Sequence, residues 1–183
     1  MRKTGIRDWL LAVLPAAALL LFRYAVKNLP PAAELCMACV FLTITALWYR
    51  REKRPAAFLP PAGACLLWTG IGIAFGIMNR ICFGKPADMS AGIAAFLMLC
   101  ILGPAAEEIV CRGLVYEFCR RFLPEAGAVL LNSLLFAAAH GSPVQMAVAF
   151  AAGVLFSLAR KSTGTVIVPV LMHMMANMAV FLF

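Results

Sequence analysis

Long apolar runs, each closed by polar or basic residues, set the pattern of this chain. They cover residues 8–26, 33–49, 57–78, 91–119, 126–140, 143–159 and 165–183. A bilayer core of about 30 Å needs roughly 20 apolar residues of helix at ~1.5 Å rise per residue. The pattern therefore predicts an all-α membrane helix bundle with about seven transmembrane helices. It forms one integral domain, with N-terminal spans in 1–90 and a membrane core in 91–183. Residues 79–90 are expected as a polar loop, and Arg160-Lys161 as the break between the last two spans. The run 91–120 would measure ~45 Å as one straight helix, too long for the core, so a kink or break is expected at Gly103-Pro104. The start, MRKTGIR followed by Trp9–Phe22, has the form of a signal peptide, but no small-x-small cleavage site follows. An uncleaved first span is expected.

Composition strengthens this reading. The chain has 183 residues, 64% hydrophobic and 13% charged, whereas a soluble domain is nearer half apolar and a quarter charged. A globule of this size has too little interior for so much apolar surface. A soluble enzyme, a disordered tail and a secreted disulfide scaffold are excluded. The seven cysteines are odd in number and lie mostly within apolar runs, which suits packing rather than disulfides or a zinc site. The net charge of +8 is clustered between apolar runs, which argues against a nucleic-acid surface. With the N-terminus inside, Arg2, Lys3, Arg7, Arg50, Arg51, Lys53, Arg54, Arg120, Arg121, Arg160 and Lys161 fall in inside loops. Only Arg23, Lys27, Arg80 and Lys85 fall outside. That bias predicts an N-terminus inside and a C-terminus outside.

A few polar residues sit deep in the runs: Glu107, Glu108, Arg112, His140, His173 and Asn177. A charge at mid-bilayer costs about 2.5–3.5 kcal/mol on insertion scales, so such residues usually pair with one another or line a cavity. From the inside end of each helix, Glu107, His140 and Asn177 lie at roughly 20–21 Å and His173 at roughly 15 Å. Three separate helices thus bring polar groups to a similar level. Glu108 and Arg112, four apart, can form an ion pair along one face, which leaves Glu107, ~100° away, able to point into a cavity. Asn132, Phe136 and His140 form an i, i+4, i+8 stripe, in which Asn132 is expected to serve packing. Ser133 is likewise expected to be a packing residue.

A carboxylate and an imidazole in a partly dry cavity can hold and deprotonate a water. An imidazole N–H and an amide N–H can then stabilise the oxyanion that develops on an attacked amide. Glu107 and His140 suit the first task, and His173 and Asn177 the second. No HExxH, GxGD or GxSG signature of other intramembrane proteases is present.

Glu107-Glu108-Ile109-Val110-Cys111-Arg112 fits EExxxR, Phe136–His140 fits FxxxH, and His173–Asn177 fits HxxxN. In this order, over roughly 91–183, they resemble the motifs of the CPBP intramembrane proteases, the CAAX proteases and bacteriocin-processing enzymes also called the ABI family. The departure is Cys111, where many members carry Phe. The resemblance implies a catalytic core in 91–183. It implies a glutamate-type intramembrane endopeptidase with Glu107 and His140 on the water, His173 and Asn177 as oxyanion hole, and Glu108 and Arg112 in support. A Glu/His/His set can bind zinc and the family has been described as metal-dependent. Asn177 is a poor zinc ligand and an apt oxyanion donor, so no metal or other cofactor is expected. The expected partners are the lipid bilayer and a membrane-anchored peptide or protein: a CAAX-like tail, a bacteriocin leader or a C-terminal sorting signal. No nucleic acid is expected, and the expected location is a bacterial cytoplasmic membrane. The alternatives are a proton-coupled carrier using Glu107, His140 and His173 as a relay, and a non-catalytic scaffold or immunity protein.

Overall fold

The computed structural model describes residues 6–26, 29–52, 60–84 and 92–183, and among them all regular structure is helical. Seven helical stretches follow one another: α1 (Ile6–Val26), α2 (Pro31–Glu52), α3 (Ala62–Phe83), α4 (Ile93–Cys119), α5 (Glu125–Ala138), α6 (Pro143–Thr163) and α7 (Ile167–Leu182). Among the described residues four stretches are long and apolar enough to cross a membrane: Pro31–Arg50, Ala62–Phe83, Ile93–Cys119 and Pro143–Thr163. The others are shorter apolar helices, with α5 at 14 residues and α7 at 16. Leucines and valines such as Leu21, Val40, Leu66 and Leu134 stand exposed on the outer faces, as lipid-facing positions do. The chain is an integral membrane protein.

Several boundaries differ from the sequence expectation, and at α3 and α6 the reason is local. The third helix begins at Ala62, and residues 57–59, where the span was expected to start, lie outside the described residues. Pro61 sits in extended backbone at ψ 133° just ahead of the helix, and a residue before proline, here Pro60, is steered away from helix. The same helix absorbs Asn79 and Arg80, expected in the loop, and stops at Gly84. That residue takes φ 75°, left-handed backbone that suits glycine, and returns its N–H to Arg80 O. Likewise α6 takes in Arg160 and Lys161 and ends on Gly164 at φ 71°. Its start carries Pro143 in the first turn, and Ser142 Oγ accepts the Gln145 N–H.

The fourth helix corrects a larger expectation. Of the kink or break expected at Gly103-Pro104, the break does not occur. The helix runs from Ile93 to Cys119 with two π-wound segments, Met98–Leu102 and Ile109–Val115, on either side of the two glutamates. A π turn widens the winding without interrupting it, so the proline is accommodated where its missing N–H is not needed.

The helices alternate in direction. One cavity is lined by the C-terminal parts of α1, α3, α5 and α7 and by the N-terminal parts of α2, α4 and α6. The opposite end is tied by ion pairs: Arg160 to Glu117 at 2.7 Å, Arg120 to Glu125 at 3.2 Å, and a hydrogen bond from the Tyr116 hydroxyl to Glu125.

Close backbone approach sets the packing. A Cβ on Gly72 would lie 2.5 Å from Met172 O, and one on Gly76 2.2 Å from Ala176 O. These glycines, four apart on α3, let α7 lie against the α3 backbone, the small-xxx-small mode of membrane helices. Gly153 of α6 meets Ser133 of α5 in the same way, its notional Cβ 3.1 Å from the serine. Gly113 of α4 receives the Tyr49 ring of α2. Buried Phe136, Ala152, Phe156 and Met172 form the floor beneath the cavity.

Candidate active site

The site begins with a buried ion pair. Glu108 and Arg112 are fully buried, and Arg112 Nη1 donates to Glu108 Oε1 at 3.0 Å, as the four-residue spacing predicted. The second arm of the guanidinium, Nη2, donates to Gly153 O on α6 at 3.0 Å. The guanidinium carbon lies 4.4 Å from the Phe136 ring centre and 5.3 Å from that of Phe156. Arg112 thus joins α4 to both α5 and α6 through charge, a backbone carbonyl and two aromatic faces.

Glu108 Oε1 also accepts from His173 Nδ1 at 2.9 Å. That contact was not foreseen from sequence, since it links residues on helices 65 positions apart. It puts the proton of a neutral His173 on Nδ1 and leaves Nε2 as the ring's other contact atom. The ring is further fixed by stacking on Phe156, 4.8 Å between centres at 26°. His140 is held differently. Its Nδ1–H donates to Phe136 O at 2.9 Å, and its ring meets the Phe136 ring edge-on at 5.1 Å. The α5 helix ends at Ala138, so His140 lies in the turn just past it rather than within the span as expected. The α-helical geometry stops there because Gly141 and Pro143 follow. The hydrogen bond to its own helix end still fixes the ring.

Asn177 Nδ2 donates to Leu99 O of α4 at 2.7 Å, so α7 grips α4 on both sides of the site. Glu107 is half-buried, one position round the helix from the ion pair. Glu107, His140, His173 and Asn177 all line a single cavity of about 1140 Å³. The shared level expected from helical rise is therefore matched by a shared space. Glu34 of α2, Asn79 of α3 and Gln145 of α6 line it too, and neither a motif nor depth singled them out. Among the described residues the lining holds no Lys or Arg. Among the described residues no three His, Cys, Asp or Glu side chains are grouped to hold a metal ion.

The stripe residue Asn132 is buried against α6, its Nδ2 donating to Ser157 Oγ at 3.2 Å, and Ser133 Oγ returns to Val129 O at 2.7 Å. Both serve the α5–α6 contact, as expected. Phe156 and Gly153 belong to the site although α6 carries no motif. Their signal was the stripe of small residues Ala149, Ala152 and Gly153 leading to Phe156, readable only as packing.

Residues 89–179 match the sequence model of the Rce1-like family, described as type II CAAX prenyl endopeptidase Rce1-like. No curated protein and no solved structure matches the chain.

Proposed function

We propose that this chain, which belongs to the Rce1-like family of type II CAAX prenyl endopeptidases, cleaves a peptide bond of a membrane-anchored substrate with a water activated by Glu107 and His140. The observation that carries this reading is the cavity shared by Glu107, His140, His173 and Asn177. The Glu107 carboxylate takes a proton from the water and delivers it to the leaving nitrogen as the C–N bond of the tetrahedral intermediate breaks, which frees the amine and the new carboxylic acid. His140, with Nδ1–H spent on Phe136 O, offers Nε2 to the same water. As the carbonyl is attacked, its oxygen gains charge. His173 as an imidazolium keeps Nδ1–H on Glu108 and gives Nε2–H to that oxygen, while Asn177 gives its second amide N–H. Glu108, itself held by Arg112, keeps His173 in place, and the charge developing on the oxyanion balances that of the imidazolium.

Among the residues lining the cavity, Pro31, Phe83, Gly84, Ile93 and Val144 stand at the helix ends farthest from Arg120, Arg121, Arg160 and Lys161, and we take that end as its mouth. With the basic loops in the cytoplasm, the substrate enters from the non-cytoplasmic side of a bacterial cytoplasmic membrane. Peptides with a C-terminal sorting signal or a bacteriocin leader suit this entry better than a cytoplasmic CAAX-like tail. The reaction as drawn uses no metal.

The test compares membrane proteomes of wild type and Glu107→Gln. A protein that accumulates uncut in the variant, at equal chain abundance, is the expected result. Identical proteomes would refute the reading. Loss of cleavage on chelation, restored by zinc, would overturn the metal-free mechanism.

A further inference from the structure

Asn177 owes its position to an irregularity in the backbone of α4. Over Met98–Leu102 the helix is π-wound, and the Gly103 N–H is given to Met98 O, five residues back. The next carbonyl, Leu99 O, is then left without a donor from its own helix. Its α-helical partner would be the Gly103 N–H, which is already used. Its π-helical partner would be residue 104, a proline with no N–H. Asn177 Nδ2 supplies the missing donor from α7 at 2.7 Å. Gly103 fits the same device, because a Cβ there would lie 2.7 Å from Met98 O. Pro104 itself is buried and lines the cavity.

We propose that Pro104 is a positioning residue. By carrying no N–H it leaves Leu99 O to Asn177, which anchors one hydrogen of the Asn177 amide and commits the other to the cavity. The inference rests on the oxyanion role proposed above for Asn177, and it makes a backbone vacancy, rather than a side chain, the element that aims the donor.

Pro104→Ala restores an N–H. In either register Leu99 O then has a donor within α4, which draws the carbonyl back toward the helix axis and competes with Asn177. Replacing residue 104 by lactic acid through nonsense suppression gives an ester with alanine's side chain and, like proline, no N–H. Both variants are placed in proteoliposomes and given a lipid-anchored, internally quenched decapeptide that wild type cleaves. Pro104→Ala is expected to lower kcat by up to about a hundredfold, the scale of one weakened oxyanion donor, with KM within about twofold. The ester variant should keep a near wild-type kcat. In parallel, the Asn177 side-chain amide is followed by NMR on chain labelled with ¹⁵N at asparagine, assigned by its loss in Asn177→Ala. Its signal should move in Pro104→Ala and stay in the ester. An unmoved signal in Pro104→Ala, an unchanged kcat, or an ester as impaired as Pro104→Ala would each overturn the proposal. A signal that moves as expected, in a chain whose Glu107→Gln variant cleaves as well as wild type, would leave the anchoring in place and refute the catalytic reading instead.

Discussion

Replacing Gly76 by alanine should disable the site from a distance, and the size of the effect can be worked from geometry. The added Cβ would sit 2.2 Å from Ala176 O and 2.9 Å from Ala179 Cβ. The nearer contact is to backbone, which cannot rotate away. Relaxing it to a tolerable contact of a little over 3 Å requires α3 and α7 to part by about 1 Å. The partner helix carries His173 and Asn177, one immediately before the contact region and one immediately after Ala176. A misplacement of about 1 Å at catalytic groups costs on the order of a hundredfold in rate, and overpacking costs roughly 1–3 kcal/mol of stability. Gly70→Ala is the control, since nothing lies within 4 Å of its notional Cβ. It adds the same methyl to the same helix and removes the same backbone freedom. The assay is cleavage of a quenched, lipid-anchored peptide in proteoliposomes, with thermal unfolding of the detergent-solubilised chain alongside. Gly76→Ala should cut slowly and melt lower, and Gly70→Ala should match wild type on both. A Gly76→Ala chain with wild-type kcat would show that α7 is not positioned by the α3 glycines.

Further outcomes test other parts of the site. Glu108→Ala leaves Arg112 buried without its counter-charge, so stability should fall by about 3–5 kcal/mol in denaturant titration. Adding Arg112→Leu should recover most of that loss while cleavage stays low, because His173 still lacks its Nδ1 acceptor; full recovery of cleavage would contradict the anchoring of His173. The cavity lining holds Glu34 and Glu107 but, among the described residues, no Lys or Arg, so peptides with a lysine near the cut should be cleaved faster than their norleucine counterparts. Glu34→Gln should narrow that ratio by up to about tenfold, the worth of one charge-assisted hydrogen bond, in competition assays. Alkaline phosphatase fused after Phe183 should be active and fused after Arg121 inactive, and the opposite pattern would reverse the proposed side of entry.

The apolar runs by themselves determined that the chain is helical and embedded in lipid, because burial of so many apolar groups has no other outlet at this length. They also set seven helical stretches in order. Spacing within one helix determined the Glu108–Arg112 pair, since residues four apart on a helix are neighbours whatever else surrounds them. Depth along each span placed Glu107, His140, His173 and Asn177 at one level, although His140 proved to lie past the end of its helix. Helix ends depended on finer signals: α3 and α6 run on through polar residues that looked like loops and stop only at Gly84 and Gly164.

Tertiary structure alone decided what those groups touch. The bond from His173 to Glu108, the carbonyls of Gly153 and Leu99 as acceptors, and the rings of Phe136 and Phe156 around Arg112 all join different helices. No local pattern encodes which helix faces which, or at what rotation. The π segments of α4 are of the same kind. Propensity favours a kink or break at Gly103-Pro104; the Asn177 amide satisfies the loosened backbone at Leu99 O, and the helix does not break. In a membrane, where an unsatisfied carbonyl finds no water, that partner across the bundle is what permits the irregular winding.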